Sequence, residues 1–140
     1  MAGNENLVLD TSFLVALARD DDVHHESARA VGRRMAAVEW DTFLVPEYVF
    51  AETVTVLSAR LGMGEAREWG SALLRAHDVQ IVPAFDQLVP TWALFRDQPT
   101  ARLSLADCAV IVTALRHGTR EVATFDRALG EVEGIVMVGP

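Results

Sequence analysis

The sequence has no lysine, one cysteine, one tyrosine and five prolines. All 12 positive side chains are therefore arginines, against 20 acidic residues, and the formal net charge is −8. A chain this acidic is a poor non-specific binder of polyanions, so any nucleic-acid partner would have to be held by local arginines and by metal ions. The lone thiol, Cys108, excludes an internal disulfide framework and reads as a small core residue. No apolar run approaches the roughly 18 residues of a membrane span. The start, Met1 to Asn6, is polar and lacks a basic stretch followed by an apolar one, which reads as no signal peptide. Repeats, low-complexity tracts and linkers are also missing. What remains is 140 residues, 51% of them hydrophobic, enough for one packed domain spanning 1–140. The expectation is a cytoplasmic enzyme. Abundant Ala, Val and Arg without lysine fits either a GC-rich genome or a salt-loving source.

Short apolar runs alternate with longer helical patterns. Strands are expected at Leu7–Leu9, Phe43–Val45, Val79–Val82, Glu121–Thr124 and Ile135–Val138. Helices are expected from Ser12 to about Ala18, from about His25 to Val38 (Ala28, Val31, Met35 and Val38 at helical spacing), and from Pro46 to about Leu61 with Gly62 as the stop. Others are expected at about Glu65–Ala76, Gln87–Phe95, Leu105–Arg116 closed by Gly118, and as a single turn at Asp126–Leu129. Pro90 is tolerable only near the start of its helix. Strand alternating with helix implies a parallel sheet of about five strands covered on both faces. Ligands of such sheets bind at the carboxyl ends of the strands.

Acids stand where charge is expensive. Asp10 is the lone charged residue between Leu7 and Ala18, Glu52 between Tyr48 and Ala59, and Asp107 between Leu103 and Leu115. Glu52 shares a helical row with Val49 and Val56, and Asp107 with Ser104 and Ile111. Both rows are expected to be largely buried, where an unpaired carboxylate costs several kcal/mol or stays protonated. A shared cation would relieve all three, and oxygen ligands select Mg2+ or Mn2+ over zinc. Asp126 follows the fourth expected strand, at the same sheet edge as Asp10. Thr11, Ser12, Ser104 and Thr124 stand beside these acids and can orient a carboxylate. Each acid also has an ordinary reading. Asp10 and Asp126 can cap helical turns, Asp107 can offset a helix dipole, and Glu52 can pair with an arginine.

Leu9-Asp10-Thr11-Ser12, Pro46-Glu47-Tyr48-Val49-Phe50-Ala51-Glu52, Leu103-Ser104-Leu105-Ala106-Asp107 and Ala123-Thr124-Phe125-Asp126 together resemble the PIN domain. In length and element order the chain is similar to the VapC-type toxins of prokaryotic toxin–antitoxin pairs. The resemblance implies an α/β three-layer sandwich and a metal-dependent endoribonuclease. It makes Asp10, Glu52, Asp107 and Asp126 the catalytic and metal-binding quartet, with Asp10 and Asp107 as principal ligands of Mg2+ or Mn2+. Ser12, Ser104 and Thr124 match its supporting polar positions. The implied substrates are tRNA, rRNA or mRNA phosphodiester bonds, cut to leave a 5′-phosphate. The implied partners are a cognate antitoxin and a second copy of the chain. The segments Val49–Leu61 and Trp69–Leu74 are apolar enough for a groove or dimer face, and core packing explains them equally well.

Arg33, Arg34, Arg60 and Arg102 can steer an RNA backbone or lie on solvated helix faces. Glu47 and Asp86 read as first-turn acids. His24 and His25 read as an exposed helix start rather than a metal site with Asp20–Asp22. Trp40, Trp69 and Trp92 read as packing residues rather than base-stacking platforms. Two rival classes stand beside the nuclease. A non-catalytic PIN-like module binding RNA or protein would lack the intact quartet. Aspartyl-phosphate phosphohydrolases usually carry a second Asp where this chain has Ser12, and receiver domains need a lysine.

Overall fold

The computed structural model describes residues 6–139, so the polar start read at Met1–Asn6 lies outside it except for Asn6. In chain order the elements are β1 (Asn6–Leu9), α1 (Thr11–Ala18), α2 (His25–Ala36), β2 (Thr42–Pro46), α3 (Glu47–Leu61), α4 (Met63–Arg75) and β3 (Val79–Val82). A tight helical turn at Phe85–Gln87 leads into α5 (Leu88–Arg96), followed by α6 (Leu105–Arg116), β4 (Glu121–Ala123), α7 (Arg127–Gly130) and β5 (Val136–Val138).

The five strands form one sheet in the order β3-β2-β1-β4-β5, and every neighbouring pair is parallel. Successive side chains of a strand point to opposite faces, so a strand covered on one side alternates buried and exposed. Leu7, Val8 and Leu9 are instead buried in succession, as are Phe43, Leu44 and Val45. Both faces of the central strands are therefore packed, the arrangement the sequence pattern implies. α6 contributes an unbroken buried run from Cys108 to Ala114 and packs on β1, β2 and β4. A helix apolar all round belongs inside a fold. Its polar opening at Ser104 and Asp107 is where it emerges at the sheet edge.

The order of strands places the site. From β1 the chain moves outward through β2 and β3, then returns to build β4 and β5 on the other side. The carboxyl ends of β1 and β4 therefore flank the point where the direction of winding reverses, and a crevice opens there. Asp10 follows β1, and Thr124 to Asp126 follow β4.

Several expected boundaries move for local reasons. Pro46 is the last strand residue and precedes α3 rather than opening it, with φ −57° and ψ 143°. Gly62 stops α3 as expected and has φ 94°, a conformation that glycine adopts without strain. The helix expected to reach Val38 ends at Ala36, and Val38 takes φ 62°. A β-branched residue is strained there, and Val38 is 75% exposed, so its side chain gains little by packing. Val38→Gly is expected to stabilise the protein by about 1 kcal/mol. A chemical-denaturation midpoint unchanged or lower than wild type would contradict this. Trp92, expected to pack, is half-exposed in a stripe with Phe85, Leu88 and Val89. Among the described residues no helix is long and apolar enough to cross a membrane.

Candidate active site

The amide of Asp10 still pairs with Ala123 O at 3.0 Å, continuing the β1–β4 ladder by one residue. Its carbonyl then accepts from Leu14 N at 3.1 Å, the first bond of α1. The backbone thus occupies the N-cap position, but the carboxylate makes no capping bond. This overturns the cap reading of the Asp10 side chain. The carboxylate turns across the sheet instead. Its Oδ2 accepts from Thr124 Oγ1 at 2.8 Å and from Ser12 Oγ at 3.0 Å.

The two hydroxyls are themselves oriented. Phe125 N donates to Ser12 Oγ at 2.9 Å, and Asp126 N donates to Thr124 Oγ1 at 3.0 Å. A hydroxyl carries one proton. With the backbone amides on their lone pairs, both hydroxyls direct that proton at Asp10. Two chains of the form amide, hydroxyl, carboxylate therefore converge on one oxygen and fix the rotamer of Asp10.

Asp10 is only 5% exposed. Burial raises its pKa from 3.8 to about 6, against the lowering effect of the Thr124 and Ser12 hydroxyls, and the nearby Asp107 charge adds to the rise. Asp107 is half-buried and its pKa is also raised, first by burial and further by the charges of Asp126 and Glu52, while its bonds to Ser104 oppose the shift. The acids thus feel one another across a common space.

That space is a cavity of about 370 Å3 lined by Asp10, Thr11, Ser12, Glu52, Ser104, Asp107 and Asp126, with Val15 and Val56 as its apolar wall. All four acids and three of the four hydroxyls singled out in the sequence therefore meet. The fourth, Thr124, is fully buried beneath Asp10. The valines were missed. Val56 sits one turn beyond Glu52, and its spacing alone carried that signal.

Glu52 departs from expectation. Its side chain is exposed. The buried row of α3 is Val49, Thr53 and Leu57, one residue round from Glu52, and each residue turns a helix by about 100°. Glu52 therefore faces the cavity and not the core, where Thr11 Oγ1 donates to its Oε1 at 2.6 Å. Asp126 does have the capping role weighed for it, and Asp107, read as a first-turn acid that offsets a helix dipole, stands in the first turn of α6 and also closes a capping box. Asp107 Oδ2 accepts from Ser104 N at 2.9 Å while Ser104 Oγ accepts from Asp107 N at 3.0 Å, a capping box for α6. Asp126 Oδ1 accepts from Ala128 N at 2.9 Å, opening α7.

Among the described residues no arginine forms an ion pair with the quartet. The ion pairs among the described residues are Arg19–Asp21, Arg29–Glu26, Arg34–Glu39, Arg96–Asp97 and Arg102–Glu131. The arginine-pair reading of Glu52 therefore fails. All four arginines considered for RNA are exposed; Arg34 and Arg102 are engaged in these surface pairs, and Arg33 and Arg60 are not among them. Arg60 follows Glu52 and Val56 at four-residue steps along α3. Glu47 Oε1 instead takes Ala84 N at 2.9 Å, away from the cavity. His25 Nδ1 contacts Ala16 O at 2.8 Å, and His24 stacks on Phe125 with ring centroids 4.4 Å apart. That stack, reaching the strand end beside Asp126, had no sequence signal.

Among the described residues no three carboxylate, imidazole or thiol groups stand close enough, as placed, to enclose one ion. The chemistry of the donors nevertheless fits a hard divalent cation. The cavity's charged and hydroxyl groups offer oxygen, and the buried Asp10 carboxylate has hydroxyl donors but, among the described residues, no positive partner.

Thr124→Val tests the supporting chain. It removes one hydroxyl from Asp10 and the acceptor of Asp126 N while keeping the volume. Loss of such an orienting group costs about 10- to 100-fold in activity or metal affinity. We expect that loss in affinity for a divalent cation with a folded protein, measured by calorimetric titration with Mg2+ or Mn2+. Wild-type behaviour would show that Thr124 does not orient Asp10.

The model for the PIN domain matches residues 7–135. No curated protein matches the chain in sequence. Among solved structures, VapC20 of Mycobacterium tuberculosis, described as a toxin that cleaves the sarcin–ricin loop, is similar with TM-score 0.82 and 23% identity over 96% of this chain and 99% of its own. A toxin–antitoxin complex from Klebsiella pneumoniae gives TM-score 0.65 and 17% identity, covering 93% of this chain and 95% of the other. VapBC2 of Rickettsia felis, bound to a DNA fragment from its promoter, gives 0.66 and 11%, covering 94% and 96%. These likenesses extend the agreement in fold, and the match along nearly the whole length makes this chain a member of the PIN-domain family.

Proposed function

We propose that the protein is a metal-dependent endoribonuclease, the toxin of a VapBC-type toxin–antitoxin pair, acting on tRNA, rRNA or mRNA. The observation that carries this reading is Asp10. It is a buried carboxylate without a cationic partner among the described residues, at the winding reversal of a PIN fold, in one cavity with three further acids.

Asp10 and Asp107 would be the principal holders of Mg2+ or Mn2+, with Glu52 and Asp126 completing the set. Such an ion supplies Lewis-acid polarisation of a phosphodiester and activation of water. The chain's own residues do the rest. Ser12 and Thr124 hold Asp10 in one rotamer. Ser104 fixes Asp107 by one oxygen. Glu52, exposed and held by Thr11, lies at the rim where a substrate enters. Without a cation the four acids repel an RNA backbone, which links substrate binding to metal.

The partners follow from the same reading. Two of the similar structures come from toxin–antitoxin systems, which supports a cognate antitoxin as inhibitor, and family resemblance supports a homodimer. Metal removal is the test. In EDTA, cleavage of a single-stranded RNA should fall to background, and added Mg2+ or Mn2+ should restore it with 5′-phosphate ends. Cleavage that persists in EDTA would overturn the metal role. No cleavage of any RNA with either metal would favour a non-catalytic binding module.

A further inference from the structure

We propose that a second cavity beside the carboxylates holds one guanine base of the RNA, next to the bond that is cut, and that Glu131 and Arg102 read it. This rests on the nuclease reading above. The cavity is about 220 Å3 and is lined by Thr100, Arg102, Leu103, Ala128, Glu131 and Val132 among others. It has no lining residue in common with the acidic cavity but adjoins it at two points. Leu103 immediately precedes Ser104, and the Ala128 amide donates to Asp126 Oδ1 at 2.9 Å. A nucleotide with its phosphate at the acids has its base within reach of this space.

The cavity is built in advance. Gln98 donates to Phe95 O at 3.2 Å and to Leu103 O at 3.0 Å, and accepts from Leu103 N at 2.8 Å. Its amide is spent on pinning the strap between α5 and α6, which forms one wall. Leu103, Ala128 and Val132 offer apolar surface to the faces of a flat ring. The volume is below the roughly 300–1,000 Å3 of pockets for drug-sized ligands and suits a single ring system.

The rim supplies the edge recognition. Arg102 Nη2 lies 3.0 Å from Glu131 Oε2, with both side chains 62% exposed. An exposed pair of this kind is weakly held. The guanidinium is therefore free to move to a phosphate or over the face of a base. The Glu131 carboxylate only accepts. Guanine presents two adjacent donors on its Watson–Crick edge, the ring N–H and the 2-amino group, which match two carboxylate oxygens. Adenine and cytosine set an acceptor beside their amino group, and uracil flanks its N–H with two carbonyls.

The test has two arms. In EDTA, where the proposed cleavage is silent, the uncharged nucleoside guanosine should shift the amide signals of Leu103, Ala128 and Val132 in nuclear magnetic resonance spectra, and uridine should not. Glu131→Gln, a mild surface change, should weaken the guanosine effect by about tenfold, and Val132→Trp should block it by filling the space. With Mg2+, cuts in a mixed-sequence RNA should fall beside guanosine, and in Glu131→Gln the ratio of kcat/KM for guanosine-containing over all-uridine RNA should collapse towards one. Cleavage with no base preference, or a preference unchanged in both variants, would overturn the guanine site and leave the nuclease standing. If no RNA is cut, the nuclease reading fails and the first arm decides this proposal. Guanosine shifts confined to this cavity uphold a guanine site, and their absence removes it.

Discussion

Asp10→Asn should abolish Mg2+-dependent RNA cleavage and at the same time make the metal-free protein more stable. Loss of a group that merely orients a ligand costs about 10- to 100-fold, so loss of Asp10, the principal ligand in the function proposed above, should exceed that. The stability gain follows from burial. The folded-state pKa of Asp10 is about 6, against an ordinary 3.8. The unfolded chain therefore gives up this proton first as pH rises. The contribution to stability is fully present below 3.8 and lost as pH rises through about 6. At neutral pH the buried charge costs about 3 kcal/mol. Asparagine keeps an oxygen for the Thr124 and Ser12 hydroxyls and removes the charge. Urea titrations in EDTA should show wild-type stability sloping down between pH 4 and 6 through this group, with Asp10→Asn lacking that component and more stable at pH 7. Equal stabilities at pH 7 would mean that Asp10 is not buried as a charge. The trade is one that functional sites commonly make, holding strain in the resting protein for use with a ligand.

Phe13→Ala should be the most damaging core change near the site. Phe13 is fully buried in α1 and among the largest buried side chains. It stands next to Ser12 in sequence, with its ring in the main core. Truncation removes apolar contact and leaves a cavity, at about 3–5 kcal/mol. For a chain of this size that lowers Tm by about 10–20 °C. Cleavage at low temperature should survive in the folded fraction, because Ser12 and Asp10 are unaltered. A loss below about 1 kcal/mol would show that α1 packs differently.

What could be read from the sequence depended on range. β3 and α6 occupy the expected bounds, Val79–Val82 and Leu105–Arg116. β3 ends at Pro83, and α6 starts from a Ser104–Asp107 capping box, so both are bounded by local chemistry. The grouping of Asp10, Glu52 and Asp107 was legible because lone charges in apolar segments report a shared problem of solvation, and Asp126 was legible only from its place after the fourth strand and from the resemblance. Which strand neighbours which was not legible, and that order puts Asp10 against Thr124. A partner 114 residues away decides whether Asp10 caps a helix or crosses the sheet, and no local pattern encodes it. Glu52 failed for a finer reason. Val49 and Val56 share its row, but the core of α3 is centred on Thr53, so a step of one residue moved the carboxylate into the cavity. Val38 was drawn into a helix by its period, although the chain had already turned into a left-handed residue. Trp92 was assigned to packing by residue type, and type alone does not say which face of α5 is covered.

The most direct test of the account compares wild type and Asp10→Asn on one labelled single-stranded RNA, each in EDTA and across a Mg2+ titration, with folding of both verified by thermal melts. The account predicts cleavage that rises with Mg2+ and saturates in wild type, and none above background in Asp10→Asn at any Mg2+ concentration. Equal cleavage by the two proteins would contradict it.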